Sequence, residues 1–298
     1  MSNDKFDNSS RRIKSVTVLG ILTNVLLFVV KVSVGYLAGS MALIADGIHS
    51  VSDMSTDLVV LLGFHLGSKE PDQSHPYGHG RIETFSAGLI ALFLVFVGSG
   101  MIYYASAGIA GARIASFHIT VLIVAVISVA LKEMLYRITK RIALASHSSA
   151  LYANAWHHRS DALSSVVVLI GYISIKAGFE YGDQVAAVGV GLMIILVAVR
   201  ILGRCLSELT ESAVDRSTIE KIKYVIRADD SIRHWHKLRT RTVGREVFLD
   251  LHILVDPELS ITTAHEISDR FEKTLAEQLS RPVNIIVHIE PDIPAMRK

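Results

Sequence analysis

Ala42-Leu-Ile-Ala-Asp46-Gly-Ile-His49-Ser-Val-Ser-Asp53-Met-Ser-Thr-Asp57-Leu-Val-Val-Leu-Leu-Gly-Phe-His-Leu66 is long and apolar enough to cross a bilayer, yet ionisable groups run through it. Crossing ~30 Å of hydrocarbon takes about 20 residues. Positions 46, 49, 53 and 57 follow helical spacing, so these side chains share one face over several turns. An ionisable group in hydrocarbon costs at least ~2.5 kcal/mol, which makes it functional and inward-facing by default. A second apolar stretch, Ala150–Ile175, carries His157 and Asp161 at the same i, i+4 spacing as His49 and Asp53.

The whole composition agrees with a membrane protein. Half the residues are apolar, 19% are charged and the mean hydropathy is +0.42. A net charge of +2, with no basic aromatic-studded segment, argues against a nucleic-acid partner. Cys205 is the only cysteine, so neither an intrachain disulfide nor a cysteine zinc site exists. The polar start, residues 1–14, reads as a retained cytosolic tail rather than a signal peptide.

About six spans can be drawn, near Val16–Tyr36, Ala42–Leu66, Thr84–Ala105, Phe117–Leu135, Ala150–Ile175 and Gln184–Leu206. They give an α-helical integral membrane bundle over 15–209. Lys132 and Glu133 cut the fourth run short, which predicts a helix protruding into the cytosol, and Lys31 is expected to snorkel from the far end of the first. Arg11, Arg12, Lys14, Lys69, Arg81, Lys132, Arg137, Lys140 and Arg141 lie on one side, against Arg113 and Lys176 on the other. The positive-inside bias then predicts cytosolic termini. From 210 to 298 the pattern becomes that of a soluble α+β domain: a helix over Ser217–Arg227, strands Trp235–Thr242 and Glu246–Val255 about a turn at Gly244, a helix opened by a capping box at Thr263 and Glu266, and a last strand over Val283–Ile289.

Two His-x-x-x-Asp pairs on separate spans supply His49, Asp53, His157 and Asp161, the number of ligands a tetrahedral zinc ion takes. Imidazole with carboxylate is also weak enough to permit release. The bland alternative is a hydrogen-bonded or ion-paired helix contact. Gly39-Ser-Met-Ala-Leu-Ile-Ala-Asp-Gly-Ile-His-Ser-Val-Ser-Asp53, His75-Pro-Tyr-Gly-His-Gly80 and His157-His-Arg-Ser-Asp161 together resemble the cation diffusion facilitator family of divalent-metal/proton antiporters, over nearly the whole chain. The resemblance implies a homodimer of six-span protomers, each with a metallochaperone-like cytosolic domain of order αββαβ. It makes His49, Asp53, His157 and Asp161 the transport ligands. Zinc is the first expectation for the cargo, with Fe2+, Co2+, Cd2+ and Mn2+ as alternatives. Asp46 is expected to support the ligands or a helix contact and Asp57 to line a vestibule, while His158 and Arg159 are expected to face elsewhere.

Asp72, His75 and His79 share a short loop in which Pro76 and Gly78 favour a turn, giving a candidate second metal position. In the soluble domain, His252 lies in an alternating strand, His288 and Glu290 share a face of another, His236 opens a third and His265 stands in the first turn of the last helix. By resemblance, His236, His252, His288 and Glu290 form a binuclear site that His265 bridges or completes across the dimer. Also by resemblance, Arg81 and Glu211 form a charge interlock at the dimer hinge.

These features predict a membrane transporter that exchanges metal for protons, since metal requires neutral histidine and ionised aspartate. The C-terminal domain is read as a cytosolic metal sensor, in a bacterial inner membrane protein. Two rival readings fit less well. An intramembrane metallohydrolase lacks the His-Glu-x-x-His pattern and the open zinc position that catalysis needs. A metal-responsive receptor without transport leaves the buried tetrad without a purpose.

Overall fold

The computed structural model describes residues 2–37, 41–106, 119–176, 182–279 and 281–297, with the side chains of 2–9, 41–49, 51–52, 104–105, 119–122, 164, 167–176, 182–184 and 186–187 outside the description. Arg113 falls outside the described residues. The chain divides into two compact units, one over Asp7–Cys205 and one built mainly from Leu206–Lys298.

Among the described residues the first unit is a bundle of six helices: α1 Ser2–Leu37, α2 Met41–Gly67, α3 Arg81–Ser106, α4 Ile119–Ser146, α5 Ser149–Lys176 and α6 Gly182–Leu209. The polar start is thus helical, continuous with α1. Helix α5 lies at the centre, packed on α2, α3 and α4. It folds back on α4 through His147 and Ser148, with Ser148 Oγ accepting from the Leu151 N–H at 3.2 Å as an N-terminal cap. Small residues allow the close approach: Ala87, Ala91, Ala143, Ala150 and Ala153 are buried in the common core with Ile13, Phe64 and Leu151. Leu22, Leu26, Leu58, Phe96 and Leu196 are more than half exposed, an apolar girdle suited to lipid.

By length and apolarity alone, three described segments are fit to cross a membrane: Ser10–Leu37, Arg81–Tyr103 and Val188–Leu209. They belong to α1, α3 and α6, whereas Asp53, Asp57, Lys132, His157, His158 and Asp161 lie on α2, α4 and α5. The same side chains that build the site therefore dilute the hydropathy of the helices that hold it.

Two lysine expectations are corrected here. Lys132 does not protrude; it is 3% exposed, in the interior of the bundle. Helix α4 instead continues eleven residues past Leu135 to Ser146, and the cytosol-compatible charges are Arg137 and its i, i+4 partner Glu133 at 2.8 Å. Lys31 does not snorkel either, since its Nζ donates to Ser50 Oγ of α2 at 3.2 Å from a buried position. In both cases the polar partners are on neighbouring helices.

The second unit follows the expected αββαβ order: α7 Arg216–Ala228, β1 His234–Val243, β2 Glu246–Val255, α8 Ile261–Gln278 and β3 Val283–Pro291. The sheet order is β1-β2-β3, with β1 antiparallel and β3 parallel to β2, the latter reached through α8. Gly244, with φ of 59°, turns β1 into β2, a conformation glycine adopts without strain. Leu249, Leu251, Ile253 and Val255 alternate along β2 into a core with Ile222 and Ile226 of α7 and Phe271 and Leu275 of α8. The opposite face of β2 carries Asp250 and His252 beside the buried apolar side chains of Phe248 and Leu254. Helix α8 starts earlier than the capping box at Thr263 and Glu266 implies: Ser260 is the N-cap, its Oγ accepting from the Thr263 N–H at 3.1 Å. Thr263 is thus already in the first turn.

Asp215 caps α7 by accepting from the Thr218 N–H and from the Ser217 and Thr218 hydroxyls. These hydrogen bonds lower its pKa to about 2. Asp215→Ala should destabilise the helix by about 1 kcal/mol, read as faster hydrogen exchange of the α7 amides. Because the folded-state pKa is depressed, the cap's contribution is full above the unfolded carboxylate value of ~3.9 and is lost as pH falls toward 2.

Candidate intramembrane metal site and its companion clusters

Three of the four expected transport ligands converge inside the bundle. His157 of α5 is 1% exposed and lies between two carboxylates: Nε2 is 3.7 Å from Asp53 Oδ1 of α2, and Nδ1 is 3.7 Å from Asp161 Oδ1 one turn along α5. Among the described residues neither ring nitrogen has a hydrogen-bond partner. That is costly for a buried imidazole, but it is what a ligand requires before its cation arrives. Phe93 of α3 packs edge-on against the ring, with centroids 5.6 Å apart, and fixes its plane. One atom from each of Asp53, His157 and Asp161 lies within 4.8 Å of the others. His49 and Asp46 lie outside the described side chains.

A fourth group, which sequence reasoning missed, enters from α4. Lys132 Nζ lies 2.8 Å from Asp53 Oδ2 and 3.0 Å from Asp161 Oδ2. One ammonium thus bridges the carboxylates of α2 and α5, and removing one member of such a buried set typically costs about 3–5 kcal/mol. A signal was present in the sequence: Ser128, Lys132, Tyr136 and Thr139 keep helical spacing, and all are buried on one face of α4.

One turn from Asp53 lies a second buried polar cluster. Asp57 accepts from Asn24 Nδ2 of α1 at 3.1 Å and from Asn154 Nδ2 of α5 at 2.6 Å. His158 Nε2 is 3.3 Å from Asn154 Nδ2 and 3.5 Å from Asp57 Oδ1. All four side chains are buried, so Asp57 lines no vestibule, and His158 faces this cluster rather than joining Asp53, His157 and Asp161. Gly20 makes the space, because a Cβ there would stand 3.1 Å from both carboxylate oxygens of Asp57. Arg159 does turn elsewhere, stacking on Tyr136 at 4.5 Å and donating to its hydroxyl at 2.8 Å.

In the loop between α2 and α3, Asp72 lies 3.4 Å from His75 Nδ1 and 3.5 Å from His79 Nε2, and the two rings are 4.3 Å apart. Backbone N–H groups of His75 and Ser74 donate to Asp72 and hold its pKa below the usual carboxylate range. Gly78, at φ 79°, closes the turn.

Strand register builds the C-terminal cluster. His236 pairs with His252 and His252 with His288, so three imidazoles lie in a row across the sheet on the face away from the helices. Glu290, two residues beyond His288, reaches back to them: Oε1 is 2.8 Å from His252 Nδ1 and 3.5 Å from His288 Nε2, and Oε2 is 3.0 Å from His236 Nε2. The hydrogen bond with His252, aided by the neighbouring imidazoles, lowers the Glu290 pKa. His236 Nε2 and Glu290 Oε2 are buried and close but make no hydrogen bond, a gap that a shared cation fits. His265 stands apart from this cluster within the protomer, exposed beside Asp269 at 3.6 Å. Glu290→Gln keeps the side chain's shape and removes its charge. Metal titration of the full chain should show the C-terminal site weakened on the order of 10–100-fold, and binding at that site should weaken as pH falls, because bound imidazoles must shed their protons.

Of the expected hinge pair, Arg81 opens α3, and Glu211 follows α6 with φ of 61°.

Comparison with known proteins decides the family. Residues 17–210 match the cation efflux transmembrane domain, and 214–292 match the cation efflux protein cytoplasmic domain. The chain belongs to the cation efflux family. It is 34% identical to a transporter of Methanocaldococcus jannaschii, over 94% of this chain and 99% of that one. It is 35% identical to metal tolerance protein C1 of Arabidopsis thaliana over 92% of its own length, but spans only 61% of that relative. The manganese efflux system protein MneP of Bacillus subtilis is 28% identical, with 93% and 96% covered. The metal-bound C-terminal domain of the CzcD transporter from Thermotoga maritima is 25% identical over 26% of this chain and 94% of that domain, with a TM-score of 0.25. Cation efflux proteins are membrane metal transporters, not enzymes, which disposes of the hydrolase reading. The cytoplasmic domain of this family is dimer-forming.

Proposed function

We propose that this cation efflux protein is a homodimeric divalent-cation/proton antiporter that carries zinc out of the cytoplasm through a site made of His49, Asp53, His157 and Asp161. The observation that carries the reading is His157, buried between two carboxylates on α2 and α5 with neither ring nitrogen hydrogen-bonded among the described residues. A permanent structural imidazole would use at least one of them. Nitrogen and carboxylate donors suit zinc, and proton coupling follows from the same donors: metal requires neutral imidazole and ionised carboxylate, so acid on the release side expels it.

The six helices of 15–209 are the spans, both termini face the cytosol of a bacterial inner membrane, and 210–298 is a cytosolic sensor. There His236, His252, His288 and Glu290 hold regulatory metal, completed by His265 of the partner subunit. Asp72, His75 and His79 offer a loop site for incoming cations. Arg81 and Glu211 form the hinge interlock.

The test is zinc uptake into proteoliposomes loaded with a zinc-sensitive dye, with and without an imposed pH gradient. Acid on the side that receives the metal should accelerate flux, and indifference to the gradient would overturn proton coupling. Manganese is the second reading, favoured by the name of the Bacillus subtilis relative. A preference for manganese across a panel of divalent ions would replace zinc as cargo.

A further inference from the structure

Lys132 places a positive charge where the proposed cargo belongs. Its Nζ touches one oxygen of each aspartate, at 2.8 and 3.0 Å, while the other oxygen of each is turned toward His157 at 3.7 Å. The ammonium is therefore a monovalent stand-in for a divalent ion, tethered by a flexible four-carbon stem. A divalent ion drawn to the same two carboxylates would compete with the ammonium for their charge, and the two cations repel each other. An acceptor for the displaced group is at hand. Ser128, one turn away on the same face of α4, is buried, and its Oγ has no hydrogen-bond partner among the described residues.

We propose that Lys132 is a built-in counter-ion that exchanges with the transported metal, neutralising Asp53 and Asp161 in the metal-free protein and withdrawing toward Ser128 when metal binds. The inference rests on the reading of Asp53, His157 and Asp161 as the transport site. It gives Lys132 two tasks. While it occupies the site, the apparent affinity for metal falls by the fraction of time that the site is filled, which favours release. It also lets the empty site reorient without two unneutralised carboxylates in a low-dielectric interior.

The experiment compares two fluxes of the full chain in proteoliposomes: net zinc uptake into metal-free vesicles, which needs the empty site to return, and exchange of radioactive for unlabelled internal zinc, which does not. Lys132→Met should lower half-saturating zinc about tenfold, as expected for removal of a competitor present some nine-tenths of the time. It should cut net uptake on the order of tenfold while preserving exchange. Lys132→Arg keeps the charge in a fork that grips carboxylates harder, and should raise half-saturating zinc. This second variant decides the matter if Lys132→Met does not fold. Equal loss of net uptake and exchange in Lys132→Met, or half-saturation unmoved in both variants, overturns the exchange role. Asp161→Ala separates the two levels: wild-type behaviour in both fluxes would sink the site itself. Loss of both in Asp161→Ala, without the split in Lys132→Met, would sink only the role of Lys132.

Discussion

Asp161→Ala is expected to reduce metal flux on the order of 100-fold or more, since even groups that merely support metal ligands contribute 10–100-fold. The side chain serves the site twice. It offers Oδ1 toward His157 Nδ1 and Oδ2 to Lys132, so its loss removes a donor and loosens the bridge between α4 and α5. The chain should still fold, because Lys132 keeps Asp53 at 2.8 Å and α5 keeps its apolar contacts with α3 and α4. Metal binding at the C-terminal histidines should be unaffected. A variant that is stable, loads metal at the C-terminal cluster and still transports at the wild-type rate would move the transport path away from these residues.

Gly98→Val is expected to destabilise the bundle without touching the polar side chains of the candidate metal site. A Cβ at Gly98 of α3 would stand 2.8 Å from the backbone oxygen of Gly191 in α6, and a Cβ at Gly191 would stand 2.8 Å from that of Gly98. Backbone cannot swing aside as a side chain can, so the helices must separate and disturb Leu94, Ile194 and Ala198 around the contact. Overpacking of this kind costs about 1–3 kcal/mol, which should appear as a lower thermal midpoint of the detergent-solubilised protein. Gly88→Ala is the control, since nothing lies within 4 Å of its added carbon. Equal midpoints for Gly98→Val and wild type would show that this close approach is not a stabilising contact.

The sequence disclosed the parts of the molecule that repeat with a period. Alternation in β2 and helical spacing in α7 located the C-terminal elements within a few residues, and the i, i+4 pair His157 and Asp161 pointed to the site because a helix stacks such residues. The place of Lys132 is not legible locally, because a charge that interrupts an apolar run fits two opposite placements. Choosing between them requires knowing that two carboxylates from other helices wait at the same depth. Asn24 and Asn154 were missed for a similar reason: an uncharged amide barely lowers the hydropathy of a span, and its role appears only once Asp57 is seen between the two. The strand histidines were legible as candidates, but their alignment depends on pairing register, including the irregularity between His236 and Arg239 that no local pattern announces.

The two-residue link between α4 and α5 bears on how the protein is made. A lone helix with lysine at its middle, or one with two histidines and an aspartate, is a poor client for the insertion machinery, which admits segments largely by their apolarity. Joined by His147 and Ser148, the pair can leave the channel as a hairpin whose charges already cancel through Lys132 and Asp161. Biogenesis would then depend on the contact that fills the binding site, and cells carrying Lys132→Met should accumulate less inserted protein than cells carrying Lys132→Arg.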